Sequence, residues 1–170
     1  MAKTIMLIDD TPEILEVKVR LLKAAGFEVQ GYQYPNEALA QLANQIHPRA
    51  LVTDTEMQPF SGPALVTYLS PRTNRSDNLI LEGSIETADV RHYKDIQAFR
   101  KILEMQGRYH GQVILTSRQE LTEQAIDQNL SLQGRIQLAV LNEALRICDG
   151  FFKIDADGNG IAKLVGYLKS

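Results

Sequence analysis

Asp9 and Asp10 follow directly on the apolar run Thr4-Ile-Met-Leu-Ile8, and Asp54 ends the apolar run Ala50-Leu-Val-Thr53. Three carboxylates gathered at one edge would repel and raise one another's pKa values unless a cation stood among them. Their oxygens suit a hard divalent ion, Mg²⁺ above all, which keeps waters and substrate oxygens in its shell. Two further polar residues belong to other apolar runs: Thr116 in Gln112-Val-Ile-Leu-Thr116, and Lys153 in Gly150-Phe-Phe-Lys-Ile154. A hydroxyl and an ammonium opposite the acids would bind the oxygens of a transferred phosphoryl group and offset its developing charge. Asp54 is the natural nucleophile, because a carboxylate can form an aspartyl phosphate.

These residues need a framework that brings separate strand ends together. Thr4–Ile8, Phe27–Gln33, Ala50–Thr53, Gln112–Thr116 and Gly150–Ile154 read as short strands. Their apolar or alternating runs are bounded by turn-forming residues. The segments between them carry helical spacing. Thr11 is placed as an N-cap with Pro12 at the first helical position, and Gly26 ends that helix. Pro35-Asn36 opens a second helix, and Pro63–Leu69 forms a third. Ala88–Gln106 reads as an amphipathic helix with Val90, Tyr93, Ile96, Phe99, Ile102 and Leu103 on one face. Leu79-Ile80-Leu81 reads as a short strand or an anchored loop. Glu120–Asn129 and Leu132–Ile147 are helical by period, bent near Ser131, and Ile161–Lys169 is a closing helix. Alternation of strand and helix predicts an α/β fold, a doubly wound five-stranded parallel sheet with an extra helical insertion. In such sheets ligands collect at the carboxyl ends of strands.

The pattern resembles a response-regulator receiver domain of two-component signalling, a flavodoxin-like fold. The residues that carry the resemblance are Ile8-Asp9-Asp10-Thr-Pro12, then Asp54, Met57, Gly62 and Leu65, then Ile-Leu-Thr116-Ser117, then Lys153. The interval 54 − 10 = 44 is typical of that family. The resemblance is good over 1–70, patchy over 112–170 and absent over about 71–111. It implies one receiver-like domain over 1–170, an insertion at about 71–111 between the third helix and fourth strand, and a second enlargement at about 118–147. It further implies that Asp54 is the phosphoacceptor and that Mg²⁺ is held by Asp9, Asp10, Asp54 and the backbone carbonyl of Glu56. Thr116 corresponds to the switch hydroxyl and Lys153 to the lysine that pairs with the phosphoryl group. The donor would be a sensor histidine kinase or a histidine phosphotransfer protein, and the output would pass to an unknown downstream protein. Enzymatic activity would be confined to Mg²⁺-dependent self-phosphorylation and slow self-dephosphorylation; a homodimer is left open.

The chain also departs from the family. Ile154 stands where a proline usually follows the lysine, and Gln58 stands where one usually follows Met57, with Pro59 a place later. Gly150 occupies the usual aromatic switch position, and Phe151 lies one later. Thr116 and Lys153 are 153 − 116 = 37 residues apart, more than usual. In that family the fourth helix and last strand form the usual partner face, so the enlargement before Lys153 and the changes in the last strand point to an unusual partner. They also motivate a second reading, a non-phosphorylated pseudo-receiver adaptor. A third, a haloacid-dehalogenase-like phosphatase, would need a general-acid Asp where Glu56 stands and would not account for Asp9-Asp10.

The net charge of −3 gives no basic footprint and so disfavours nucleic-acid binding. No apolar run reaches membrane-spanning length, and no cationic start followed by an apolar signal region appears, so a cytoplasmic location is expected. The single cysteine, Cys148, excludes an intramolecular disulfide and reads as a small core residue. Asp155-Ala-Asp157-Gly-Asn159-Gly160 matches the first half of a calcium-binding loop. Gly166 stands where its bidentate Glu belongs, so a strand-to-helix turn is the better reading. His47, His92 and His110 show no ligand spacing.

Overall fold

The computed structural model describes residues 4–44, 48–57, 61–72 and 109–170. Five strands, β1 (Thr4–Ile8), β2 (Glu28–Tyr32), β3 (Ala50–Asp54), β4 (Gln112–Ser117) and β5 (Gly150–Lys153), form one sheet in the order β2-β1-β3-β4-β5. All four pairings are parallel. The helices are α1 (Pro12–Ala24), α2 (Pro35–Ala43), α3 (Gly62–Leu69), α4 (Leu132–Ile147) and α5 (Ile161–Lys169). Strand order reverses between β1 and β3, so their carboxyl ends border the crevice where such sheets bind ligands.

Both faces of the sheet are covered. Ile5, Leu7, Val52 and Ile114 pack beneath α1 and α5, with Leu22, Ile161, Leu164 and Leu168. Met6, Ile8, Leu51, Val113 and Leu115 pack on the other face with α2, α3 and α4. This explains why β1 and β3 are continuous apolar runs, as two-sided burial requires. Each such side chain contributes roughly 1.5–3 kcal/mol by leaving water. Tyr109 anchors the start of β4, its buried hydroxyl donating to the Pro48 carbonyl at 3.0 Å.

The helix limits follow from local chemistry. Pro12 starts α1, and Gly26, at φ 96°, provides the left-handed turn that leads into β2. In α3 the Ser61 hydroxyl accepts from the Ala64 amide at 3.2 Å, and all eight residues are buried. Ser131 caps α4 through the Gly134 amide at 3.1 Å. The sequence places a bend between two helices near Ser131; in the structure α4 starts there.

The expected helix over Glu120–Asn129 does not form; 118–131 runs irregularly from β4 to α4. Its residues are largely exposed, Ile126 at 51%, so no packed face stabilises a helix there. The Asp127 carboxylate instead accepts from the Asn129 amide at 2.8 Å and fixes a turn. The expected elements at Leu79–Leu81 and Ala88–Gln106, and most of the 71–111 insertion, lie outside the described residues. Among the described residues no helix is long and apolar enough to cross a membrane.

Candidate phosphoryl and cation site

Asp54 is the last residue of β3 and pairs in register with Thr116 of β4. Ile8 pairs with Thr53, so Asp9 comes level with Asp54 on the neighbouring strand. Register partners in a sheet share a face. Asp9, Asp54 and Thr116 therefore project together on the α1 side, and Asp10 adjoins them at the edge. Carboxylate oxygens of Asp9, Asp10 and Asp54 all lie within 4.8 Å of one another. Asp9 and Thr116 are buried, and Asp54 is 9% exposed.

The loop after β3 is tied down at several points. The Thr55 hydroxyl donates to the Thr116 carbonyl at 2.8 Å, and the Gly62 amide donates to the Thr55 carbonyl at 2.9 Å. Gly62 is required there, because a Cβ would lie 1.9 Å from the Asp54 carbonyl oxygen. A cavity of about 460 Å³ opens over this loop, lined by Asp10, Asp54, Glu56, Met57, Arg118 and Gln119 among others.

Burial is the main reason that the Asp54 carboxyl rises to about 6, and repulsion from Asp9 adds to it. The Lys18 charge and a hydrogen bond from the Thr55 amide act the other way. Asp10 is also raised, by burial first and by Asp9 second. A cluster of hard oxygen donors under mutual repulsion fits a divalent cation of the Mg²⁺ type. Asp9 is committed inward: its Oδ1 accepts from the Thr11 amide at 3.0 Å and its Oδ2 from Lys18 at 2.7 Å. Asp10 and Asp54, which line the cavity, are the donors facing outward.

Sequence reasoning missed two cations. Lys18 of α1 is 2% exposed; its ammonium donates to Asp9 Oδ2 and, at 3.3 Å, to Thr116 Oγ1. Thr116 Oγ1 in turn donates to the Thr53 carbonyl at 3.4 Å. The signal for Lys18 was present: it lies four residues after Ile14 and four before Leu22, on the buried stripe of α1. Arg118, two residues past Thr116, lines the cavity and donates to the Thr11 hydroxyl at 3.3 Å. That hydroxyl therefore faces Arg118 and makes no side-chain cap on α1.

Lys153 is not brought to this group. It pairs with Ser117, one step beyond the Thr116–Phe152 pair, so strand alternation turns it away from the face of Asp54. Its neighbours in β5 agree, since Phe152 packs with the α1 side and Phe151 with the other. Lys153 is exposed and lines a separate cavity with Glu120, Asp155 and Lys163. The loop after β5 is an internal turn: Asp155 Oδ1 accepts from the Asp157 and Asn159 amides, and Oδ2 accepts from the Asn159 side chain. Cys148 is half-buried, and burial raises its thiol.

The fold is that of CheY-like receiver domains. A CheY4 structure from Vibrio cholerae aligns with a TM-score of 0.51 at 13% identity, over 99% of each chain. A CheY-like receiver domain protein from Methanospirillum hungatei aligns at 0.51 and 14%, over 99% of this chain and 95% of that one. A response regulator from Burkholderia pseudomallei, determined with a phosphorylated aspartic acid and a calcium ion, aligns at 0.50 and 13%, over 98% and 70%. In sequence, the chain is 31% identical over 88 residues to hybrid signal transduction histidine kinase C of Dictyostelium discoideum. The match takes in 52% of this chain and spans only 7% of that protein's length. No family model matches.

Proposed function

We propose that this domain is a phosphoacceptor of two-component signalling, charged on Asp54 by a phosphohistidine donor in a Mg²⁺-dependent reaction. The observation that carries this reading is the cluster of Asp9, Asp10 and Asp54 beside Thr116 at the carboxyl edge of β1, β3 and β4. An Asp54 oxygen attacks phosphorus and forms an acyl phosphate. The P–N bond of the donor breaks, and the imidazole nitrogen keeps the electron pair and later a proton. Asp54 reacts as the anion, and with its carboxyl at about 6 it is mostly ionised at neutral pH. Asp10, Asp54 and the Glu56 carbonyl are the groups suited to hold the cation, with Asp9 behind them. Bound there, Mg²⁺ would neutralise the phosphoryl oxygens. The loop tied by Thr55 and Gly62 holds Asp54 in place at the cavity floor.

The partners follow from this chemistry: a histidine kinase or histidine phosphotransfer protein as donor, and a downstream protein as receiver of the signal. The irregular 118–131 segment and α4 belong to the region that would form the partner face. Incubation with a small phosphodonor and Mg²⁺, followed by intact mass, tests the reading. A phosphate-sized gain is expected in the wild type and not in Asp54→Ala. The placement of Lys153 favours a second reading, a non-phosphorylated adaptor; bound Mg²⁺ without any mass gain would select it.

A further inference from the structure

The geometry points to Lys18, from the first helix, as the lysine of the acidic site, a positioning residue that takes the place the β5 lysine would have. This rests on the phosphoacceptor reading for its role, although its charge can be tested without it. Lys18 sits on the α1 face of the sheet, the same face as Asp9, Asp54 and Thr116. Its ammonium bridges Asp9 and Thr116 from adjacent parts of the site, at 2.7 and 3.3 Å. The third ammonium N–H has no partner among the described residues.

Two consequences separate Lys18 from a filler of the core. A long, flexible cation buried at 2% exposure needs a compensating charge, and Asp9 supplies it. Asp9 is thereby drawn inward, which leaves Asp10 and Asp54 to face an incoming cation. Lys18 also fixes the Thr116 hydroxyl, which accepts from Lys18 and donates to the Thr53 carbonyl. The positive charge lies close enough to stabilise the ionised form of Asp54. It therefore opposes a divalent ion at the acids and favours added negative charge on Asp54.

The two roles predict opposite signs in one variant. Lys18→Met should bind Mn²⁺ at least threefold tighter than wild type, since a like charge has gone. It should take up phosphate from a small phosphodonor at least tenfold more slowly. A merely structural lysine would loosen metal binding when lost. Lys153→Met, measured alongside, should change either quantity by less than twofold. Unchanged or weaker Mn²⁺ binding in Lys18→Met overturns the inference, as does a larger phosphorylation defect in Lys153→Met. Wild type that binds Mn²⁺ with the expected response to Lys18→Met, yet takes no phosphate, sinks the phosphoacceptor reading and leaves Lys18 as the charge of the site. Should Lys18→Met not fold, the side-chain ammonium resonances of ¹⁵N-lysine-labelled wild type decide. The Lys18 signal should shift on adding Mg²⁺ while that of Lys153 stays; the reverse overturns the inference.

Discussion

The Lys18 ammonium lies 2.7 Å from Asp9 Oδ2, and both side chains are almost wholly removed from solvent, at 3% and 1% exposure. Removing one partner leaves the other charge buried and uncompensated. Asp9→Ala is expected to lower stability by about 3–5 kcal/mol. The double variant Asp9→Asn/Lys18→Met should lose less, because neither buried charge remains. Urea unfolding checks this: the midpoint should fall with little change in slope.

Stability should depend on pH through Asp54. Its carboxyl rises from 3.8 to about 6 on folding, mainly by burial. Between those values the native state holds a proton that the unfolded chain has released, so stability falls as pH rises from about 4 to about 6. In metal-free buffer Asp54→Asn should remove the Asp54 share of this slope and be the more stable protein at pH 7, by about 3 kcal/mol. At pH 4 the two should nearly coincide. Thermal unfolding across this range gives the comparison.

A divalent cation should offset part of that penalty. At Mg²⁺ tenfold above its dissociation constant, binding to the native state adds about 1.4 kcal/mol, or about 3–6 °C in Tm. Asp10→Asn should largely abolish the gain, because Asp10 faces the cavity with Asp54. Lys153→Ala should keep it.

Two glycines should respond in opposite ways. In Gly62→Ala the new methyl would meet the Asp54 carbonyl oxygen at 1.9 Å, a backbone atom that cannot swing aside. A loss of about 2 kcal/mol or more is expected, together with weaker Mg²⁺ binding, as the loop is forced away from β3. In Gly166→Ala the methyl meets nothing within 4 Å, inside α5. A gain of about 0.5–1 kcal/mol should follow from helix propensity. Paired denaturant melts read both.

Much of the fold was legible because each strand is a short apolar or alternating run bounded by turn signals. Pro12, Gly26 and Pro35 punctuate the helices where they stand. The acidic cluster was legible for the same reason, since Asp9, Asp10 and Asp54 mark strand ends. The missing helix at 120–129 shows the limit of periodicity, which needs a packed face to act on, and Ile126 is half-exposed. Lys153 shows another limit. Chain order places a lysine at the end of β5, but which face it takes depends on the register of Ser117 with Lys153. Lys18 was overlooked because charge on a helix is expected to face water, whereas its spacing with Ile14 and Leu22 placed it inward.

The strand that carries Asp54 is the middle one of five, with two strands on either side. Frayed edges cannot reach it, so its amide protons exchange with solvent only when most of the domain opens. The amides of Val52 and Thr53 should therefore be among the slowest to take up deuterium, while those of β2 and β5 at the margins exchange earlier. The Asp54 carboxylate thus hangs from the strand expected to open last among the described elements.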